Sequence, residues 1–266
     1  MIDYCFNDRD VELLNDDIYT FNVLTRIMYL DCDFKCTDHE RFMICSSDKY
    51  HPVWIWLRDD ATQDELDNVF NILVEKKYIE NKYSFVTKYD HANYFINKGK
   101  ELGLNIDVLI NMFTYNCENL IEPLHSCDGY IHKVNEADFD ELVEFIYEFH
   151  ESIGIDKKPK EEYKKDAKEY IEEGKTYFWK NSLGTTVASA KYGFSGDMAT
   201  INFVYTKNGY RRRYYALNLV YNVTEFVKSL GFVPMLYTNA DYKASNACYE
   251  KLGYKLNGKI CTIKVR

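Results

Sequence analysis

Hydrophobic positions in this chain switch between two periods, and the switches mark the elements. Over 62–74, Leu66, Val69, Phe70, Leu73 and Val74 recur at helical spacing. Thr62 and Glu65 form a T-x-x-E capping box that opens this helix. Strand-like runs are predicted at 41–46, 52–57 and 83–87. A helix over 91–102 stops at Gly103, and a strand follows over 107–115. After Ser126–Gly129, "GYIHKV" reads as a strand. An Asn135 cap then leads into a helix with Phe139, Leu142, Val143, Ile146 and Phe149 on one side. The loop Ile153–Pro159 precedes a charged helix over 160–173, which turns Tyr163, Ala167, Tyr170 and Ile171 inward. Strands at 176–180, 186–193 and 198–206, joined by "NSLG" and "FSGD", predict an antiparallel meander. Residues 215–230 predict a long helix burying Ala216, Leu219, Val220, Val223, Val227 and Leu230, stopped by Gly231. "VPMLYT" is a strand, 242–252 a helix closed by Gly253, and a β-rich run ends at Val265.

The pattern predicts an α/β (α+β) protein in two parts. A smaller α/β domain covers 1–127, and 128–266 carries a mixed, largely antiparallel sheet flanked by helices. The 266 residues suit two domains of about 130 each, and 46% hydrophobic content supplies a core for both. A net charge of -9 and a pI near 5.3 speak against a general nucleic-acid binder. No apolar run approaches the roughly 20 residues of a membrane span. "MIDYCFNDRD" has neither the basic nor the apolar region of a secretory signal, so a cytoplasmic location is expected.

Eight scattered cysteines read as free thiols. Cys32, Cys36, His39 and Cys45 crowd together but lack a second well-spaced ligand pair, and no metal site is assigned. "GKT" at 174–176 has Glu169 where a phosphate loop needs its earlier glycine, and it follows a helix instead of a strand.

Against the acidic background, "FVYTKNGYRRRYYALNLVYN" at 203–222 gathers three arginines between a strand and a helix. Unpaired N–H groups at a helix N-terminus attract anions, and arginines supplement them. "VYTKNGYRRRYYA" resembles the cofactor-binding segment of the GNAT N-acetyltransferase superfamily, which often reads V-Y-T-P-x-x-Y-R-G-x-G-Y-A. About 30 residues on, "LYTNADYKASNACYEKLGYK" is similar to that family's L-Y-T-D and S-N-x-x-Y-x-x-x-G-Y/F signature. The resemblance covers about 128–266, and the first half is at most a degenerate GNAT-like partner of a tandem arrangement.

The resemblance implies acetyl-CoA as co-substrate and no metal. Phe203, Val204, Tyr205 and Thr206 would present backbone groups to the pantetheine arm and one N–H to the thioester carbonyl. Arg211, Arg212, Arg213 and the amides of Tyr214, Tyr215 and Ala216 would hold the pyrophosphate. Asn239 and Asn246 are further cofactor contacts. Tyr249 stands where the family often has the acid that meets the departing thiolate. A tyrosine near pKa 10 facing a thiolate near 8.5 gives proton transfer that is uphill by about 2 kcal/mol, so hydrogen bonding to sulfur matters more. Arg212 and Tyr214 replace glycines of the family pattern, and Tyr242-Lys243 replaces an Asn-Pro. His150 and Glu151 are candidates for a general base.

The function expected is acyl-CoA-dependent N-acyl transfer, mainly of acetyl, by direct attack of a primary amine in a ternary complex. The acceptor would be a small molecule or peptide, with no nucleic acid or membrane partner, and a homodimer is the assembly considered. A non-catalytic GNAT-like module that binds acyl-CoA or serves assembly is the alternative. A transferase using aminoacyl-tRNA is a third reading, disfavoured by the pI.

Overall fold

The structure, a computed structural model, describes residues 2–154 and 158–266. The middle of the loop expected over 153–159 lies outside the described residues. The chain forms two compact units. One takes the residues up to Tyr115 with Thr238–Tyr242 and Leu256–Arg266; the other takes Asn116–Tyr237 and Lys243–Lys255.

In the first unit, α1 (Asp8–Leu13) and α2 (Asn22–Ile27) precede β1 (Phe34–Thr37), β2 (Phe42–Ser46) and β3 (Val53–Leu57). Then come α3 (Gln63–Glu75), β4 (Ser84–Lys88), α4 (Tyr89–Glu101) and β5 (Ile106–Asn116). β1, β2 and β3 are antiparallel, whereas β3 and β4 are parallel with α3 as their crossover. All five residues of β3 are buried, as a run of apolar side chains covered on both faces should be. α3 turns Leu66, Val69, Phe70, Ile72 and Leu73 into the core. Val74, expected on that face, is exposed in the last turn, and Ile72 is buried instead. The capping box is present: Glu65 donates its N–H to Thr62 Oγ1 at 3.3 Å, and Thr62 donates its N–H to Glu65 Oε2 at 2.8 Å.

The second unit contains β6 (Tyr130–Lys133), α5 (Phe139–Ser152), α6 (Lys160–Glu173), β7 (Thr176–Lys180), β8 (Thr186–Ser195) and β9 (Met198–Thr206). It continues through α7 (Tyr215–Ser229), most of β10 (Val233–Asn239) and α8 (Lys243–Lys251). Strands run in the order β10-β9-β8-β7-β6, with β6 to β9 antiparallel throughout. Phe145, Ile146, Phe178, Phe203 and Tyr205 form its aromatic-rich core beneath α5 and α6. Leu230 lies one residue past the end of α7 and is half exposed, a correction to its expected inward place. The last strand, β11 (Lys255–Val265), hydrogen-bonds antiparallel to β4, so the C-terminal run read as part of the second half completes the first unit's sheet.

The same element order occurs twice. A bridge between Asp3 and Thr37 stands where β6 pairs with β7, and two helices, three antiparallel strands, a crossover helix, a parallel strand, a helix and a final strand follow in each case.

Candidate functional site

The end of β9 departs from regular pairing in two ways. Opposite Ala190 of β8, the register skips: Ser189 faces Tyr205 and Lys191 faces Asn202, leaving Phe203 and Val204 across from one residue. This is a β-bulge, which lifts backbone groups out of the ladder and re-aims them. Phe203 adopts φ 52, and its carbonyl accepts the Ser189 hydroxyl at 2.9 Å. On the other edge, β9 pairs parallel with β10 only from Met198–Val233 to Thr200–Met235 among the described residues. The C-terminal half of β9 thus keeps its backbone beyond the parallel ladder.

A short turn at Asn208–Tyr210 leads to α7. Two of its residues are left-handed, Arg212 at φ 62 and Tyr214 at φ 64. These are the two positions where the family pattern has glycine. The backbone keeps the glycine conformation without the glycines, at about 1–2 kcal/mol for each L-residue. α7 starts with no side-chain cap, unlike α3, so its first N–H groups still face outward for an acceptor. None of Arg211, Arg212 and Arg213 is held in a salt bridge among the described residues. Arg211 donates from Nε to the Thr206 carbonyl at 3.1 Å, and Arg213 lies over the Tyr210 ring at 5.7 Å.

The tyrosines divide their roles. Tyr214 is exposed and packs at a tilt against His125, ring centroids 4.7 Å apart. Tyr215 is buried, and its hydroxyl donates to Asp128 Oδ1 at 2.6 Å. Its ring also packs edge-on to Tyr210 of the turn, centroids 6.5 Å apart. That hydroxyl, with the Ser182 N–H, holds the Asp128 carboxyl down at about 2.

Beside the turn lies a cavity of about 620 Å³, within the range of small-ligand sites. Glu148, Glu151 and Ser152 of α5 line it together with Tyr205 and the turn residues Lys207, Asn208, Gly209 and Arg211. Tyr205 is buried; burial and the neighbouring Glu148 carboxylate raise its pKa, and Arg211 opposes them. The phenol hence keeps its proton and donates to Glu148. Lys207 is drawn toward Glu141 at 3.8 Å and over the Phe145 ring at 4.5 Å.

Of the two residues considered as a base, Glu151 lines this cavity, while His150 packs against the Tyr163 ring at 5.5 Å. Burial, with Lys158 adding to it against Asp166, lowers the His150 pKa. Glu148 went unnoticed in the sequence because one Glu among many on a charged helix carries no signal; its spacing three residues before Glu151 was the available clue.

Asn246 and Tyr249 sit buried on α8. Tyr249 packs its ring 5.9 Å from Tyr254, and burial, then Cys248, raises its pKa well above the ordinary value. Such a phenol holds its proton, consistent with hydrogen-bond donation more than with proton release. Burial also pushes the Cys248 thiol up to about 11, which removes it as a nucleophile at neutral pH. Asn239 belongs to the segment grouped with the first unit, where its Oδ1 accepts the Asp241 N–H at 2.8 Å.

Comparisons with known proteins bear on the family and the fold. The family model described as Acetyltransferase (GNAT) family matches residues 139–254. No curated protein matches the chain by sequence. A GNAT-family acetyltransferase from Colwellia psychrerythraea is 12% identical with a TM-score of 0.59, covering 100% of this chain and 98% of its own. A GCN5-related N-acetyltransferase from Sphaerobacter thermophilus is 11% identical with a TM-score of 0.67, covering 92% and 84%. One from Kribbella flavida gives 11%, 0.61, 94% and 95%. At such identities the likeness is one of fold. Residues 139–254 thus match the model of the GNAT acetyltransferase family, and the chain shares the fold of these structures.

Proposed function

We propose that the second unit transfers an acetyl group from acetyl-CoA to a primary amine by direct attack in a ternary complex. The observation that carries this reading is the start of α7: an uncapped helix N-terminus, three arginines outside any salt bridge among the described residues, and glycine-like φ values at Arg212 and Tyr214. Such a cradle fits a diphosphate, whose charge the helix dipole and the guanidinium groups both favour. Arg211 to Arg213 and the amides from Tyr214 to Ala216 would hold that diphosphate. The backbone of Phe203 to Thr206, freed by the bulge and the short parallel ladder, would hold the pantetheine arm. Acetyl-CoA supplies the activated thioester. Asn246 would anchor the arm, and the Tyr249 hydroxyl would donate to sulfur. The cavity beside Tyr205 would receive the acceptor amine, with Glu148 and Glu151 attracting its positive charge.

The corresponding turn of the first unit, Arg58–Thr62, does not fit a diphosphate. Thr62 and Glu65 already satisfy each other's N–H groups, and Asp59 and Asp60 add negative charge. One acetyl-CoA per chain is therefore expected.

Calorimetric titration with acetyl-CoA tests the reading. Micromolar binding, about -8 kcal/mol, at one site per chain is expected, with Arg211→Ala weakening it about tenfold. Thiol release with a panel of amines then measures turnover. Absence of binding would remove the proposal. Binding without turnover for any amine would leave a non-catalytic acyl-CoA-binding module.

A further inference from the structure

We propose that Cys32 and Cys45 form a dithiol that closes reversibly to a disulfide on exposure to a hydroperoxide, making the β1–β2 hairpin a redox modification site. The two sulfurs lie 3.7 Å apart, with the Cys45 thiol donating to Cys32 Sγ. A disulfide needs about 2.05 Å, so the sulfurs must approach by about 1.7 Å.

The fold selects this pair from the four clustered residues in the sequence. Cys45 lies on β2 opposite Lys35 of β1, and Cys36 lies opposite Ile44. Side chains alternate along a strand, so Cys36 and Ile44 go to one face, where both join the hydrophobic core. Cys45 points to the other face, where the chain entering β1 brings Cys32. His39 is taken up by Asp10 at 2.8 Å and Asp3 at 3.2 Å. Among the described residues no group of three His, Cys, Asp or Glu side chains could hold a metal ion.

Exposure orders the steps. Cys32 is half-buried and Cys45 fully buried. The Cys32 thiolate would attack the peroxide oxygen, giving a sulfenic acid and releasing water or alcohol. The Cys45 sulfur would then displace the sulfenic oxygen as a second water, with its proton leaving on that oxygen. Two thiols are oxidised and one peroxide is reduced. Burial holds the Cys45 thiol protonated, which suits a resolving sulfur shielded from direct oxidation.

The test is treatment of the intact chain with stoichiometric hydrogen peroxide, alkylation, digestion and mass spectrometry. A linked peptide joining Cys32 to Cys45, about 2 Da lighter than the two thiols and reversed by dithiothreitol, is expected. Cys36 should remain alkylated, and the linked form should melt at higher temperature than the reduced one. In Cys45→Ser, Cys32 should stop at the sulfenic acid and be trapped by dimedone. In Cys32→Ser, which alters only a half-buried side chain, Cys45 should stay reduced. Separate alkylation of Cys32 and Cys45 after peroxide, or linkage of Cys32 to any other cysteine, would overturn the assignment.

Discussion

Exchanging Tyr214 for alanine and for glycine separates backbone from side chain at the turn before α7. Tyr214 sits at φ 64 and ψ 6 and packs at a tilt against His125 at 4.7 Å. Both exchanges remove the ring, worth about 0.5–1 kcal/mol, so that loss cancels in their difference. Alanine keeps the left-handed penalty of about 1–2 kcal/mol. Glycine escapes it but surrenders about 0.5–1 kcal/mol through its freer unfolded chain. Tyr214→Gly should therefore be more stable than Tyr214→Ala by about 0.5–1 kcal/mol. Ala216→Gly, two residues on and inside α7, should go the other way by about 0.5–1 kcal/mol. Urea denaturation followed by circular dichroism reads both differences. A glycine variant no more stable than the alanine one would cap the left-handed strain at the glycine entropy of about 0.5–1 kcal/mol, below the value argued, and the argument for a strained, glycine-like cradle would fall with it.

Three further outcomes follow from named contacts. Tyr249→Phe should lower kcat about tenfold with little change in the KM for acetyl-CoA; an unchanged kcat in steady-state assays would remove Tyr249 from the chemistry. The carboxyl of Asp128 titrates at about 2, below its unfolded value, so the Tyr215 and Ser182 contacts add stability above pH about 4 that fades as pH falls toward 2. Melting wild type against Tyr215→Phe across that window should show the gap narrowing toward acid; a constant gap would contradict the assignment. Gly253 has φ 88, and a Cβ there would lie 2.1 Å from the Asn119 carbonyl oxygen, whereas Gly231 at φ 89 faces open space. Gly253→Ala should cost about 2–4 kcal/mol and Gly231→Ala about 1 by urea melts, and equal costs would refute the role of that close approach.

Why some of this protein was legible in its sequence and some was not comes down to the range of the causes. α3, α5 and α7 announce themselves because each buries a stripe long enough for a 3.6 period to repeat. The meander of β7, β8 and β9 is bounded by turn residues that act over four positions. α1 and α2 have six residues each, too few for a period to repeat. β11 reads as a strand, but its pairing with β4 depends on residues far away in the chain, and no local pattern encodes that. The site divides the same way. The arginine turn is a local motif and was visible, yet its departures from the family pattern, Arg212 and Tyr214, left open whether the backbone still turns as glycine would. Both φ values answer that, because the strand bulge on one side and the packed face of α7 on the other over-determine the turn. Glu148 became visible only when β9 brought Tyr205 to it, and Cys32 found Cys45 only through the hairpin register. Where chemistry depends on a partner supplied by another element, residue type alone is mute, and the pairing of strands decides.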